Sequence, residues 1–404
     1  MKDIISFKKI LFFYSAIFLC QCFTICADAA WLPGWDKRVV LSISSDNIDS
    51  DLGYFPLPVF LGTAVGSTNA DVTFIFDELQ NDANRFKLAV TKDDGMTQLY
   101  VEIEHWDSAN EQAVLWVSSA DLTLSGSTGT TLYLYYDKDQ ADNTAYVGDT
   151  DSAPAENVWD DDFILVHHLK DATTSTTKDS TQYDFDGTKA SANNPTQLNG
   201  KIGKAQNFTD DNINHGNLGI TNMYTVECWM LANNLTAGGG DQSTYGYSIM
   251  ASSVNSSAHY PLWLTAWKSE IRFWAYEATA IGGERQTTGA SLVTGALYHI
   301  VATATKSGNS KVFVNAAEKL SFTNDGEENW TTIFTLGDLR PARAIYFDGM
   351  IDEVRVSDVI RSDAYIKASY HAENDNLLSF SSEETPRKGI VLKDIALMDG
   401  VTLR

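Results

Sequence analysis

The chain has 404 residues and a formal net charge of −24, from 29 basic and 53 acidic side chains. A surface this acidic, with no basic patch in either half, excludes nucleic acid and anionic lipid as partners and favours divalent cations or neutral ligands. The length exceeds one ordinary core and predicts two domains.

In chain order, residues 1–29 read as a secretory signal. MKDIISFKK supplies lysines, ILFFYSAIFLCQCFTICA an apolar run, and Ala27-Asp28-Ala29 a small-x-small cleavage site. The run approaches spanning length, so an uncleaved anchor is the alternative; after cleavage no membrane span is expected. None of Cys20, Cys22 and Cys26 follows a small residue, which argues against lipidation. Cleavage leaves Cys228 as the one cysteine, a buried small hydrophobe by strand alternation in YTVECWM. The exported chain therefore has no internal disulfide.

Short β-branched and aromatic runs follow, separated by Gly, Asp, Asn and Ser turns: RVVLSIS, DVTFIFDEL, QLYVEIEHW, AVLWVSS and TTLYLYYD. Even spacing of such runs predicts antiparallel β-sandwiches. The polar stretch 139–157 breaks the pattern and marks a linker, placed at 146–157. Beyond it FILVHHL, KIGKAQNF, YTVECWML, YPLWLTAW, EIRFWAY, LYHIVATAT, KVFVNAAEKLSF and IYFDGMIDEVRVS read as strands of a second, larger sandwich. KSGNSKVFVN predicts a hairpin, with Gly308-Asn309 supplying positive φ. SDAYIKASYHAEN is the one helical candidate, and the last residues read as an extra strand or a loose tail. The predicted fold is all-β, with antiparallel sandwiches at 31–145 and 158–380 and a tail at 381–404.

Two resemblances sharpen this division. WLPGWDKRVVLSI and AVLWVSSADLTLSGSTGTTLYLYYDKDQA resemble an exported bacterial β-domain family known as domain of unknown function 2341, with Asp137 where glycine is usual. VWDDDFILVHHLKD, DSTQYDFDGT, GKIGKAQNFTDDN and FDGMIDEVRVSDVIRSDAYIKASY resemble the laminin-G-like, concanavalin A-like lectin and glucanase sandwich. The second resemblance implies a jelly roll. The pairing implies a secreted, periplasmic or cell-surface protein, and in some relatives it is attached to a proton-channel segment of the biopolymer-transport type, which this chain lacks.

Three sets of residues invite a chemical reading. In VEIEHWDSANEQ, Glu102 and Glu104 share one strand face about 7 Å apart, with Asp107 beyond. Retaining glycosidases need carboxyl groups about 5–5.5 Å apart, and laminarinase-like enzymes order theirs Glu, Asp, Glu. Here the order is Glu, Glu, Asp, and the stretch lies outside the lectin-like half. A solvated strand face leading into a turn is expected, and catalysis is not. Asp179, Asp184 and Asp186 in DSTQYDFDGT and Asp352 in MIDEV are oxygen donors suited to a hard cation. In laminin-G-like domains the corresponding aspartates meet where first and last strands lie side by side, so a structural calcium is expected, held chiefly by Asp179 and Asp352. The alternative is that Asp179 caps a turn and Asp352 pairs with Arg355 or a backbone amide.

The third set is aromatic. Trp263 and Trp267 share one face of YPLWLTAW, and Arg272, Trp274 and Tyr276 share one face of EIRFWAY. Paired as a hairpin, they make a platform on which a sugar stacks its apolar C–H face. His167 and His168, adjacent on a strand, point to opposite faces and do not share an ion. The expected function is recognition of a polysaccharide or glycoprotein. A structural or assembly part of the cell envelope is the alternative, and a glycoside hydrolase the remote one.

Overall fold

The computed structural model describes residues 30–189, 194–236, 245–252, 260–277, 285–324, 333–339 and 345–386. The expected signal at 1–29 and the end of the tail at 387–404 lie outside them. No helix among the described residues is long and apolar enough to cross a membrane. The fold is all-β, in two lobes.

The first lobe is one bent sheet, ordered Leu378–Phe380, Arg38–Ile43, Thr130–Tyr136, Leu88–Lys92, Gln98–Asp107, Gln112–Ser118 and Leu57–Leu61. Gln98–Asp107 serves both halves: Leu99 pairs with Val90, while Tyr100 through Asp107 pair with Gln112–Ser118 across a bulge at Ile103/His105. Strand alternation sends Leu99, Val101 and Ile103 inward against Leu41, Leu115 and Leu134. Each such side chain contributes about 1.5–3 kcal/mol on burial. DVTFIFDEL is not a strand. Phe74–Leu79 is helical, because Ile75, Phe76 and Leu79 recur at helical rather than alternating spacing and all three are buried.

The expected linker is also folded. Val147–Asp149 lies parallel to Gln98–Asp107, and Ala153–Glu156 forms a short helix beside it. The physical reason is that Val147, Ala155, Val158 and Trp159 are buried, so this polar stretch carries its own apolar anchors.

The second lobe stacks two sheets. One runs Thr196–Asn199, Lys204–Thr209, Asp348–Ser357, Met223–Ala232, Leu297–Thr305, Asn309–Val314 and Ala317–Thr323, with Phe163–His167 also paired to Asp348–Ser357. The other runs Thr176–Thr177, Gly187–Lys189, Ile213–Asn214, Phe334–Leu336, Tyr247–Ser252, Tyr260–Trp267, Glu270–Glu277 and Arg285–Gln286. Between them Phe208, Cys228, Ile249, Leu264, Phe273 and Ile351 form the core. Cys228 is buried there, as alternation predicts. The hairpin joining Leu297–Thr305 to Asn309–Val314 forms, but without positive φ at Gly308 or Asn309. That conformation occurs at Asn315 and Ala316, in the next turn.

Two elements bind the lobes together. Helix Asp363–Glu373 starts at Ser362, whose side chain accepts from the Tyr365 amide. It sends Tyr365, Ala368 and Ala372 into the first-lobe core and Ile366 against Val301 and Phe313 of the second lobe. The chain then returns to the first sheet: Leu378–Phe380 pairs with Arg38–Ile43, and Glu384 bridges Arg38, with Arg38 Nε 2.8 Å from Glu384 Oε2. Residues 378–384 thus extend the first lobe's sheet instead of belonging to the second sandwich or to a loose tail.

Candidate functional site

Strands Tyr260–Trp267 and Glu270–Glu277 form the expected hairpin, with Trp263 opposite Trp274 and Thr265 opposite Arg272. Leu262, Leu264, Ile271 and Phe273 face the sandwich core, so the alternate residues occupy the outer face. There Trp263 and Trp274 stack at 4.2 Å between centroids, and Tyr260 lies 4.9 Å from Trp263. The shared face is as expected; its openness is not. Trp263 is 1% exposed and Trp274 0%, because Tyr245, Leu339 and Ile345 pack over them. Trp263 Nε1 donates to Ser248 Oγ at 3.1 Å. At the hairpin's turn end Trp267 is half-buried, with the Arg272 guanidinium 3.4 Å from its ring centroid. The Tyr276 side chain lies outside the described residues.

The aspartates expected to hold calcium are engaged otherwise. Asp179 Oδ1 accepts from the amides of Val166 (2.9 Å) and Thr181 (3.1 Å), and Oδ2 from Thr181 Oγ1 (2.8 Å) and the Phe185 amide (2.9 Å). Asp352 Oδ2 accepts from the amides of Lys201 (2.6 Å) and Ile202 (3.0 Å), and Oδ1 from that of Glu353 (3.0 Å). First and last strands do lie side by side, with Val166 opposite Arg355. The carboxylates, however, satisfy backbone donors of two separate turns. Asp186 pairs with Lys178 (2.7 Å) and accepts from the Asp179 amide. Asp184 lies near Asp151 and Glu156 on the surface, where Asp151 is paired with Lys178 at 2.9 Å. This donor set does not fit a calcium shared by Asp179 and Asp352.

The structure instead gathers ionisable groups where sequence reasoning placed none. Glu102 and Glu104, expected on a solvated face, are 0% and 4% exposed, because the second lobe covers that face of their strand. Trp159 Nε1, Ser180 Oγ and Thr150 Oγ1 donate to Glu102 at 2.7, 2.8 and 2.5 Å, and Trp116 Nε1 donates to Glu104 at 2.8 Å. His168 stands between them. Its Nδ1 is 2.8 Å from Glu353 Oε1 and 3.6 Å from Glu104 Oε2. Its Nε2 is 3.2 Å from Glu102 Oε1, without hydrogen-bond geometry. His167 points the other way, 4.7 Å from the His215 ring, as alternation requires.

The electrostatics follow from this packing. Burial opposes ionisation of Glu102, but the His168 charge and the donated hydrogen bonds outweigh it and hold the carboxyl at about 2. Burial and the neighbouring Glu353 raise Glu104 to about 8. Burial disfavours charge on His168, yet Glu353, Glu102 and Glu104 together push it well above the usual imidazole range. One strand further in, Arg355 pairs with Glu373 and lies 3.7 Å from Glu227, whose carboxylate is 2.7 Å from His299 Nε2. Among the described residues, three groups of acids and histidines bring their ligand atoms within 4.8 Å of one another: Glu104 with His168 and Glu353, Glu227 with His299 and Glu373, and the surface trio Asp151, Glu156 and Asp184.

Asp107, the third acid of that stretch, accepts from the amide and side chain of Asn110 and shapes the turn. No polymer reaches Glu102 or Glu104 between the lobes, so the three acids do not form a glycosidase pair.

Residues 206–367 match the concanavalin A-like lectin/glucanases superfamily. The chain carries a concanavalin A-like domain. Among solved structures, the chain is similar to domain 4 of AbnA, a GH43 extracellular arabinanase from Geobacillus stearothermophilus, in complex with arabinotriose. Identity is 20% and the TM-score 0.41, over 51% of this chain and 96% of that one. It is also similar to the binding domain of Paraclostridial Mosquitocidal Protein 1, at 9% identity and a TM-score of 0.43, over 52% of each chain. The binding domain of Botulinum Neurotoxin DC in complex with SialylT is similar at 12% identity and a TM-score of 0.40, over 53% of this chain and 52% of that one. The chain thus spans about half the length of the two toxin chains. No curated protein matches the sequence. Among the described residues, the aromatic face of the hairpin lies within the matched segment, and the acid–histidine cluster lies between it and the first lobe.

Proposed function

We propose that this protein is an exported binding protein that recognises a polysaccharide or glycoprotein through the outer face of its concanavalin A-like domain, and that it catalyses no reaction. The first lobe is read as the module of unknown-function family 2341. The observation that carries the proposal is the two-faced hairpin. One face of Tyr260–Trp267 and Glu270–Glu277 supplies the sandwich core, and the other bears Tyr260, Trp263, Trp267 and Trp274, which that core does not use. Trp267, the half-buried ring of this face, forms the contact point, with Arg272 stacked against it. A half-wet indole suits the apolar face of a sugar, and the buried Arg272 guanidinium, 3.4 Å from the ring centroid, braces the indole from one side. Trp263 and Trp274 support them from below.

A glycan array probed with the full chain tests this. Binding to a defined glycan class is expected, with loss on Trp267→Ala and on Arg272→Ala. A second reading, a structural or assembly part of the cell envelope, is favoured by the two-lobed body tied through Leu378–Phe380. No glycan signal, together with co-purification of envelope proteins, supports that reading instead.

A further inference from the structure

We propose that Glu104, His168 and Glu353 form a metal site that clamps the two lobes together around one divalent transition ion of the zinc or manganese class. The three side chains come from three segments. Glu104 lies on Gln98–Asp107 of the first lobe, His168 directly follows Phe163–His167, and Glu353 lies on Asp348–Ser357. Imidazole with carboxylates is a donor set for such ions, whereas calcium takes oxygen alone.

Spacing, unfilled valence and charge agree. His168 Nδ1 stands 2.8 Å from Glu353 Oε1 and 3.6 Å from Glu104 Oε2. Ligands about 2.0–2.2 Å from one ion lie roughly 3–3.5 Å from each other. Glu104 Oε1 and Glu353 Oε2 are buried with no hydrogen-bond donor, so each carboxylate keeps a second oxygen for the ion. Glu102 Oε1 stands 3.2 Å from His168 Nε2, a carboxylate beside the imidazole's other nitrogen in the position of an outer-sphere partner.

The neighbouring group is the internal comparison. Glu227 and Glu373 already have a cation, the Arg355 guanidinium, and need no metal. Arg355 approaches Glu353 Oε2 no closer than 3.6 Å. Lys170 spends its ammonium on the Glu104 carbonyl oxygen at 2.8 Å. The buried acids Glu102, Glu104 and Glu353 therefore crowd around His168, with Arg355 3.6 Å from Glu353, and burying acids at this density without further compensation is unfavourable. A groove of about 430 Å³ between the lobes is lined by His105, Lys204, Asp375 and Gly203. Gly203 (φ +46) sits directly against Glu104 Oε1, where a Cβ would collide.

The test uses the full chain, stripped with chelator and titrated with Co²⁺, then with Zn²⁺. One Co²⁺ per chain is expected, with visible d–d absorption that Zn²⁺ abolishes, and X-ray absorption of the zinc form is expected to report oxygen ligands and one imidazole. Glu104→Gln is expected to abolish binding. Glu102→Gln is expected to weaken it by about 10–100-fold, and Asp184→Asn in the surface trio to leave it unchanged. The proposal is overturned if the folded wild-type chain takes up no ion, or if the zinc spectrum lacks an imidazole. It is equally overturned if Asp184→Asn removes the site while Glu104→Gln does not. Wild-type readings decide even if a variant fails to fold.

Discussion

Replacing Asp179 by alanine tests whether this buried carboxylate organises a turn or holds a cation. In the folded protein it receives four hydrogen bonds, three of them from backbone amides of Val166, Thr181 and Phe185. A buried donor left unpaired costs about 1–3 kcal/mol. The losses share one turn and do not add fully, so Asp179→Ala is expected to destabilise by about 3–5 kcal/mol. Asp179→Asn keeps one acceptor oxygen but turns an amide toward other donors, and about 1–3 kcal/mol is expected. Urea denaturation of all three proteins, with chelator and with added calcium, measures this. The losses are expected to be equal in both conditions. An Asp179→Ala protein within about 1 kcal/mol of wild type in chelator, and weaker than wild type only in calcium, would refute the reasoning.

Three further expectations follow from single residues. His215 is held well below the usual imidazole value of 6.5 by burial and then by His167, so it is neutral when folded and takes a proton when unfolded. Its contribution is complete above pH 6.5 and lost as pH falls from there, so His215→Leu is expected to flatten the fall in denaturation midpoint between neutral and acid pH. Trp263→Ala is expected to cost about 3–5 kcal/mol because the ring is fully buried, whereas Trp267→Ala leaves the melting temperature nearly unchanged; thermal melts separate the two. Gly349 has φ +146 and abuts the Leu231 carbonyl oxygen between two paired strands. Gly349→Ala is expected to destabilise by about 2–4 kcal/mol through strain and collision, read as a lower urea midpoint.

What was legible in the sequence was local. Alternation placed Cys228 in the core, set His167 and His168 on opposite faces and put Trp263 and Trp274 on one face of a hairpin, all as found. The spacing of SDAYIKASYHAEN gave the helix Asp363–Glu373. What stayed hidden depends on partners distant in the chain. Alternation says that Glu102 and Glu104 share a face, but not that residues 159–180 and 353 return to cover it. It says that Trp263 and Trp274 point outward, but not that Leu339 and Ile345 close over them. Buried Trp116 and Trp159, whose indole N–H groups need acceptors, were the sequence signal that a polar interface lay near Glu102.

The central claim, glycan recognition at the turn end of the aromatic hairpin, is tested most directly by isothermal titration with a glycan selected on the array, comparing wild type with Trp267→Ala and Arg272→Ala. The account predicts measurable binding by wild type and a loss of at least about tenfold in each variant, about 1.4 kcal/mol, with the melting temperature nearly unchanged in Trp267→Ala and lowered in Arg272→Ala, whose side chain is buried. Equal affinity in all three proteins, or no glycan bound by the folded wild-type chain, would contradict it.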